Sequence, residues 1–267
     1  MLGVEIIMSI MVIGDCVIDY YPGLEKHLIG GSGLNTAVYL KQKGICTDIM
    51  GVVGKDINGE KILNYLKNNN FELNNMKKTS GKTGIAYIEK AGHDYQIKKV
   101  EEGVKGSYKF NKNEIRNVKN YEIIHTNIYT HSLDYLPLLK ANNKMISFDY
   151  SFKTDLEKLK LYEKYIDVLF VNKKDVTRAF VSTLKTYNID YIIITSGAKG
   201  FTVIYNNQEF FKKSLGNDII DSTGAGDTLI GEFLAGLHNK YDLETIMDKA
   251  AEHSYQTCLT LGAAHIN

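Results

Sequence analysis

Two spacings of apolar residues alternate along this chain of 267 residues. Short apolar, β-branched runs predict strands at Ile10–Ile13, Ile49–Val53, Ile123–His125, Met145–Phe148, Val168–Val171 and Tyr191–Thr195. Between them, apolar residues recur every three or four positions. That spacing predicts helices at Leu34–Gln42, Glu60–Asn68, Leu133–Ala141, Val176–Lys185, Ala225–Leu237 and Leu243–Leu261. Strand following helix in this order predicts a doubly wound α/β fold, a mostly parallel sheet with helices on both faces. Two stretches break the order. Val17–Ile29 and Thr83–Val100 read as short alternating strands with turns, the second as a hairpin around Ala91-Gly92. Neither is long enough for a domain. The expectation is one α/β domain over residues 1–267, with a small β lid formed from about 16–30 and 83–102 and covering the mouth of the sheet.

Composition narrows the function classes. Thirty-two basic against 31 acidic side chains leave a net charge of +1, which suggests no nucleic acid and no membrane-surface partner. No apolar run approaches the roughly 20 residues of a membrane span. The N-terminal stretch MLGVEIIMSIMVIGD lacks a basic flank and a cleavage signature, so it reads as the first strand, with Met1, Met8 or Met11 as the start. Cys16, Cys46 and Cys258 are odd in number and far apart, as expected of reduced thiols in a cytoplasmic protein. The seven histidines form no H-E-x-x-H pair, which argues against a zinc site.

Candidate chemistry collects where the strands end. In a doubly wound sheet, ligands sit beyond the carboxyl ends of the strands. Those ends carry Asp15 and, further on, Asp19; Gly30, Gly31, Gly33 and Asn35; Asn172 and Asp175; and Thr195, Ser196, Gly197 and Gly200. The most informative stretch is GNDIIDSTGAGDTLIGEFLAGLHN, residues 216–239. A helix begins near Ala225, and Gly224 and Gly226 open the approach to its first-turn N–H groups, which makes an anion site. No third glycine of a dinucleotide fingerprint follows, and no Gly-Lys-Ser/Thr of a P-loop. Asp227 directly after the turn would repel a resting pyrophosphate. It suits a transient phosphoryl group beside a hydroxyl that must lose a proton. The same aspartate also fits a plain helix cap.

Taken together, these motifs resemble those of the ribokinase-like (PfkB) family of carbohydrate kinases. Residues Asp221 to Asp227 resemble its Asp-Thr-x-Gly-Ala-Gly-Asp signature, with Ser222 in place of the first Thr. Gly30-Gly31-x-Gly-x-Asn35 resembles its sugar-binding signature, and GVVGKDINGE and TSGAKG resemble further segments in the family's order. The resemblance implies a ribokinase-like fold and transfer of the ATP γ-phosphoryl to a primary hydroxyl of a ketose-like sugar. It implies Asp227 as catalytic base, Gly224, Ala225 and Gly226 as anion hole, and Asp15, Gly30, Gly31 and Asn35 at the sugar. Asn172, Thr195, Ser196, Gly197 and Gly200 would surround the nucleotide. It also implies Mg2+, with Asp175 near it, and a monovalent cation such as K+ near Asp221 and Thr223. Two positions depart from the family pattern: Asp175 stands where Glu is common, and Ser32 where ribokinases often carry Lys.

Within the family, IGDCVIDYYP followed by GGSGLN, and EEGV at Glu101–Val104, resemble the branch acting on fructoselysine at its 6-position. Fructose, a phosphosugar, ribose or a nucleoside are the alternative acceptors, and a non-catalytic sugar sensor the alternative role. A phosphosugar would call for basic residues in the lid, which Lys98, Lys99 and Lys105 offer; an amine-bearing sugar would call for acids, which Asp94, Glu101 and Glu102 offer. The exposed edges of the lid, with Ile85, Tyr87 and Ile97, invite a two-fold homodimer.

Overall fold

The computed structural model describes residues 9–141, 144–153, 155–216 and 218–263. Met1 and Met8 lie outside the described residues; Met11 is fully buried within the first strand.

The strands are β1 (Ser9–Ile13), β2 (Val17–Tyr21), β3 (Lys26–Gly30), β4 (Cys46–Gly54), β5 (Met76–Thr79), β6 (Gly84–Ala91), β7 (Asp94–Glu101), β8 (Ile123–Asn127), β9 (Met145–Ser151), β10 (Val168–Asn172), β11 (Tyr191–Thr195), β12 (Phe201–Tyr205) and β13 (Gln208–Lys212). The helices are α1 (Ser32–Gln42), α2 (Ile57–Asn68), α3 (Lys112–Arg116), α4 (Leu136–Lys140), α5 (Leu156–Lys160), α6 (Arg178–Leu184), α7 (Ala225–His238) and α8 (Leu243–Thr257).

Nine strands form one sheet in the order β13-β12-β11-β10-β9-β8-β1-β4-β5. From β5 to β11 neighbours run parallel, and β12 and β13 return antiparallel at one edge. Alternation along each strand feeds two cores. Ile10 and Val12 join Leu34, Phe233 and Leu234 on one face, while Met11 and Ile13 join Leu136, Phe148 and Leu184 on the other. All six predicted strands are present. The missed β12 and β13 form a hairpin with a polar outer strand, which carries little periodic signal.

Helix ends differ from the sequence reading for local reasons. The predicted Leu133–Ala141 helix is broken into a 3-10 turn, Ser132–Asp134, and α4, because Pro137 lacks the N–H needed to run on from the turn before. The predicted Val176–Lys185 helix starts at Arg178, where the Thr177 hydroxyl accepts the Phe180 N–H as a cap. Helix α8 stops at Thr257 rather than Leu261, since the Cys258 carbonyl is taken by the N–H groups of Ile220 and Asp221.

A second, four-stranded sheet in the order β3-β2-β6-β7 lies over the carboxyl ends of the large sheet. The hairpin turns at Gly92-His93, one residue beyond the expected place. At the mouth, α1 meets β1 backbone to backbone. A Cβ on Gly33 would drive into Gly14, so the helix docks this closely only with glycine at both positions.

Candidate active site

Two cavities open at the carboxyl ends of the strands. One, of about 300 Å3, is lined by Gly197, Gly200, Ser222, Ala225 and Tyr255, with Lys213 at its wall. The other, of about 370 Å3, lies under the small sheet and is lined by Asp15, Asp19, Gly31, Asn35, Asp149 and Asp227. Asn172, Thr195 and Gly226 line both, so the cavities join where α7 begins.

The junction is built by the turn before α7. Gly224 caps the helix in the left-handed region, φ 82°, which a residue with a side chain adopts at a cost. The Ala225 N–H is spent on the Ser222 carbonyl at 3.2 Å. No acceptor among the described residues takes the N–H of Gly226 or Asp227. These two donors, at the positive end of a 14-residue helix, are free to meet an anion. A Cβ on Gly226 would meet nothing within 4 Å and would stand in the shared opening.

Asp227 sits in the first turn of α7, and Asn35, in the first turn of α1, donates its Nδ2 to the Asp227 carboxylate at 2.7 Å. The Asn35 Oδ1 is buried with no partner, so it can accept from a ligand hydroxyl. Burial is the main cause that raises the Asp227 carboxyl to about 7; the Asn35 bond opposes this, and the charges of Asp149 and Asp15 add to it. A base poised near neutrality suits removal of a hydroxyl proton.

Asp15 is clamped at 2.9 Å by the Asn127 amide and at 3.2 Å by the Gly33 N–H. Asp149 accepts the Ser151 N–H at 2.8 Å, and burial raises its carboxyl to about 7. Asp19 points from β2 into the cavity with 4% of its surface exposed, and no donor among the described residues reaches its carboxylate. Burial, then the charges of Asp227, Asp15 and Asp221, raise it to about 8. Lys105 is the one basic residue among those lining this cavity, and it is paired with Glu102. The site therefore offers four aspartates and almost no free positive charge.

The residues singled out from the sequence fall unequally. Asp15, Gly31, Asn35, Thr223, Gly226 and Asp227 line the acidic cavity; Asn172, Thr195, Gly197, Gly200, Ala225 and Gly226 line the other. Gly30 lines neither, and leaves room for the Asp19 carboxylate, into which a Cβ would project. Gly224 also stands back, against Ala263. Ser196 is turned away, donating its hydroxyl to the Lys173 carbonyl. Asp175 lies at the surface, its side chain 82% exposed and paired with Lys199. Asp221 is buried beneath the turn, accepting from Tyr21, Thr223 and Gly262. Asn127 and Asp149 were missed, although Asn127 ends β8 and Asp149 lies just before the end of β9 at Ser151, near the position that marked Asp15 and Asn172.

Residues 8–267 match the pfkB family of carbohydrate kinases, and the chain belongs to that family. It is an ATP-dependent sugar kinase of ribokinase-like fold. Fructosamine kinase FrlD of Bacillus subtilis (strain 168) is 26% identical over 264 residues, covering 96% of this chain and 93% of that protein. Fructoselysine 6-kinase of Escherichia coli (strain K12) is 27% identical over 232 residues, covering 85% and 88%. A nucleoside kinase of Methanocaldococcus jannaschii is 29% identical over 242 residues, covering 84% and 76%, so similarity alone does not single out one acceptor. Among solved structures, a Vibrio cholerae fructokinase double mutant bound to fructose, ADP and potassium superposes with a TM-score of 0.81 at 19% identity, covering 97% of this chain and 94% of that one.

Proposed function

We propose that this kinase phosphorylates the 6-hydroxyl of a fructosamine, fructoselysine or a close analogue, with ATP as donor. The observation that carries the reading is the acidic cavity. Its four aspartates face a single lysine that is already paired, a lining that favours a cationic amine on the sugar and opposes a phosphate. Of the lysines that could have served a phosphosugar, Lys99 is on the outer side of the lid, paired with Glu101, and only Lys105 reaches the cavity. The relatives named for fructosamine and fructoselysine support the same acceptor.

In this reading ATP occupies the cavity lined by Gly197, Gly200 and Tyr255, and the sugar lies among Asp15, Asp19 and Asn35. The acceptor oxygen attacks the γ-phosphorus, the bond to ADP breaks, and the hydroxyl proton passes to Asp227. The N–H groups of Gly226 and Asp227 hold the transferring oxygens. The lid keeps water, a competing acceptor, from the opening.

Mg2+ would neutralise phosphate charge. Among the described residues no cluster of three or more acidic, His or Cys side chains offers it a cage, which suits an ion carried in by nucleotide oxygens and water. Asp175 does not fit as its ligand, being tied to Lys199 at the surface. A monovalent cation such as K+ near Asp221 and Thr223 would draw mainly on main-chain oxygens, because three donors already take most of the accepting capacity of the Asp221 carboxylate. A homodimer through the lid and a cytoplasmic setting complete the proposal.

The test is ATP consumption, with 31P NMR of the product, over a panel of fructoselysine, fructose, fructose 1-phosphate, ribose and adenosine. The expected result is the highest kcat/KM for fructoselysine, with phosphate on its 6-oxygen. A higher kcat/KM for the phosphosugar or the nucleoside would overturn the acceptor assignment.

A further inference from the structure

The tip of the lid reaches further than the acceptor. Asp94, the first residue of β7, lines the nucleotide cavity, while Ile97 and Val100 on the same strand line the acceptor cavity. The Asp94 carboxylate accepts the Ser222 N–H at 2.8 Å and the Ser222 hydroxyl at 2.6 Å, across 128 positions of sequence. It also accepts the N–H of its neighbour Tyr95 at 2.7 Å. Three donors therefore offset a charge that would otherwise oppose the phosphates.

Ser222 is a strategic residue to hold. Its carbonyl takes the Ala225 N–H, and Ala225 opens α7. A rotation at Ser222 turns the first residues of that helix, and with them the unpaired N–H groups of Gly226 and Asp227. A second tie runs in parallel. The Tyr95 ring packs edge-on against Tyr21 with centroids 5.3 Å apart, and the Tyr21 hydroxyl donates to Asp221 at 2.6 Å. Asp221 in turn accepts the Thr223 N–H at 2.9 Å. Both ties join the tip of the lid to the same turn, and nothing in the large sheet duplicates them for Ser222 among the described side-chain bonds.

We propose that Asp94 is a positioning residue for phosphoryl transfer: by gripping Ser222 it sets the anion-binding turn in its working geometry when the lid lies over the acceptor. Closure over the sugar and assembly of the anion site thereby become one event, so that ATP meets a competent turn only with an acceptor in place. The inference rests on the reading of Gly226 and Asp227 as the anion site, and it does not depend on which sugar is the acceptor.

The experiment is a double-mutant cycle of Asp94→Ala and Ser222→Ala, with Asp94→Asn as the conservative variant, using whichever panel acceptor the wild type turns over. Asp94→Ala is expected to lower kcat about 10- to 100-fold, as misplacement of a catalytic group does, with KM for ATP changed less than about threefold. Asp94→Asn keeps an oxygen for the Ser222 N–H and an amide for its hydroxyl, and is expected to recover most of kcat. The double variant is expected to be no slower than Asp94→Ala alone. Hydrogen exchange is the second measurement: in the wild type, acceptor should slow exchange at residues 222–227, and in Asp94→Ala it should not. The inference falls if folded Asp94→Ala keeps more than about half of kcat, if the two single effects multiply, or if acceptor still protects the turn in that variant. Asp227→Asn is the control for the underlying reading; should it remain fully active, the site assignment fails rather than the role of Asp94.

Discussion

Asp19→Asn should make the protein more stable, and by an amount that grows with pH. The wild-type carboxyl is raised from 3.8 to about 8, so the fold binds its proton more tightly than the unfolded chain does. Stability from that proton is present at low pH and is lost as pH climbs from about 4 towards 8. Over that window each tenfold fall in proton concentration costs at most about 1.4 kcal/mol. An amide has no proton to lose and avoids the cost. From pH 5.5 to 7.5 the gap between variant and wild type should widen by up to about 2.7 kcal/mol, or about 5 °C in Tm for a chain of this size. Asp227 and Asp15 share the local charge and will relax part of this, so about half is the smallest widening expected. Thermal unfolding at pH 5.5, 6.5 and 7.5, without ligand, is the assay. Parallel curves, or a variant that loses ground at high pH, would refute the account of a buried, unpartnered carboxylate kept for a ligand. The same variant should raise KM for fructoselysine, since an amide, unlike the carboxyl, cannot give up a proton to pair with the ligand's amine.

Asp227→Asn should lower kcat by roughly 10²–10⁴ with little change in ATP affinity, measured by coupled assay and calorimetry. Because the base works deprotonated and its carboxyl is raised to about 7, wild-type kcat should fall below pH 7, and a rate flat down to pH 5 would remove Asp227 from that role. Gly226→Val should leave Tm nearly unchanged, since its Cβ meets open space and its φ is not left-handed, yet abolish turnover by filling the shared opening. A folded, active Gly226→Val enzyme would place the phosphoryl elsewhere. Ile97 faces the acceptor cavity and Tyr87 the opposite side, where it meets Tyr20. Tyr87→Lys alone should therefore shift the mass seen by light scattering from dimer to monomer; a wild-type monomer mass with both ligands present would remove the lid interface.

Much of the large sheet was legible because its strands are buried on both faces and read as unbroken apolar runs, as Ile192, Ile193 and Ile194 do in β11. Residues that lie within a few positions of one another on a turn were legible too, as Gly224 to Asp227 show. What escaped the sequence depends on chain-distant meetings. The alternation of Val17–Tyr21 marks a strand but does not say which face covers a cavity, so the weight of Asp19 over Tyr20 emerges only from the placement of β2. Asp94 reads from the sequence as an acid for an amine-bearing sugar, but it lines the other cavity, beside Ser222 and Tyr255, and nothing local pairs it with Ser222. The free donors at the turn escaped for a similar reason: hydrogen bonding within the turn takes the Ala225 N–H out of use and leaves those of Gly226 and Asp227.

The glycine contact between α1 and β1 has a bearing on how this enzyme can be re-engineered. Gly14 and Gly33 weld the floor of the acceptor cavity, where Asp15 is held from both sides, into a part that tolerates no added atom. The roof is different. Ala86, Ile97 and Val100 come from a separate sheet whose last strand is open to solvent along most of its length. A library aimed at new acceptors should leave the floor untouched and vary those three positions, which set the headroom above the sugar. Diversity placed at the weld would be spent on chains that do not fold.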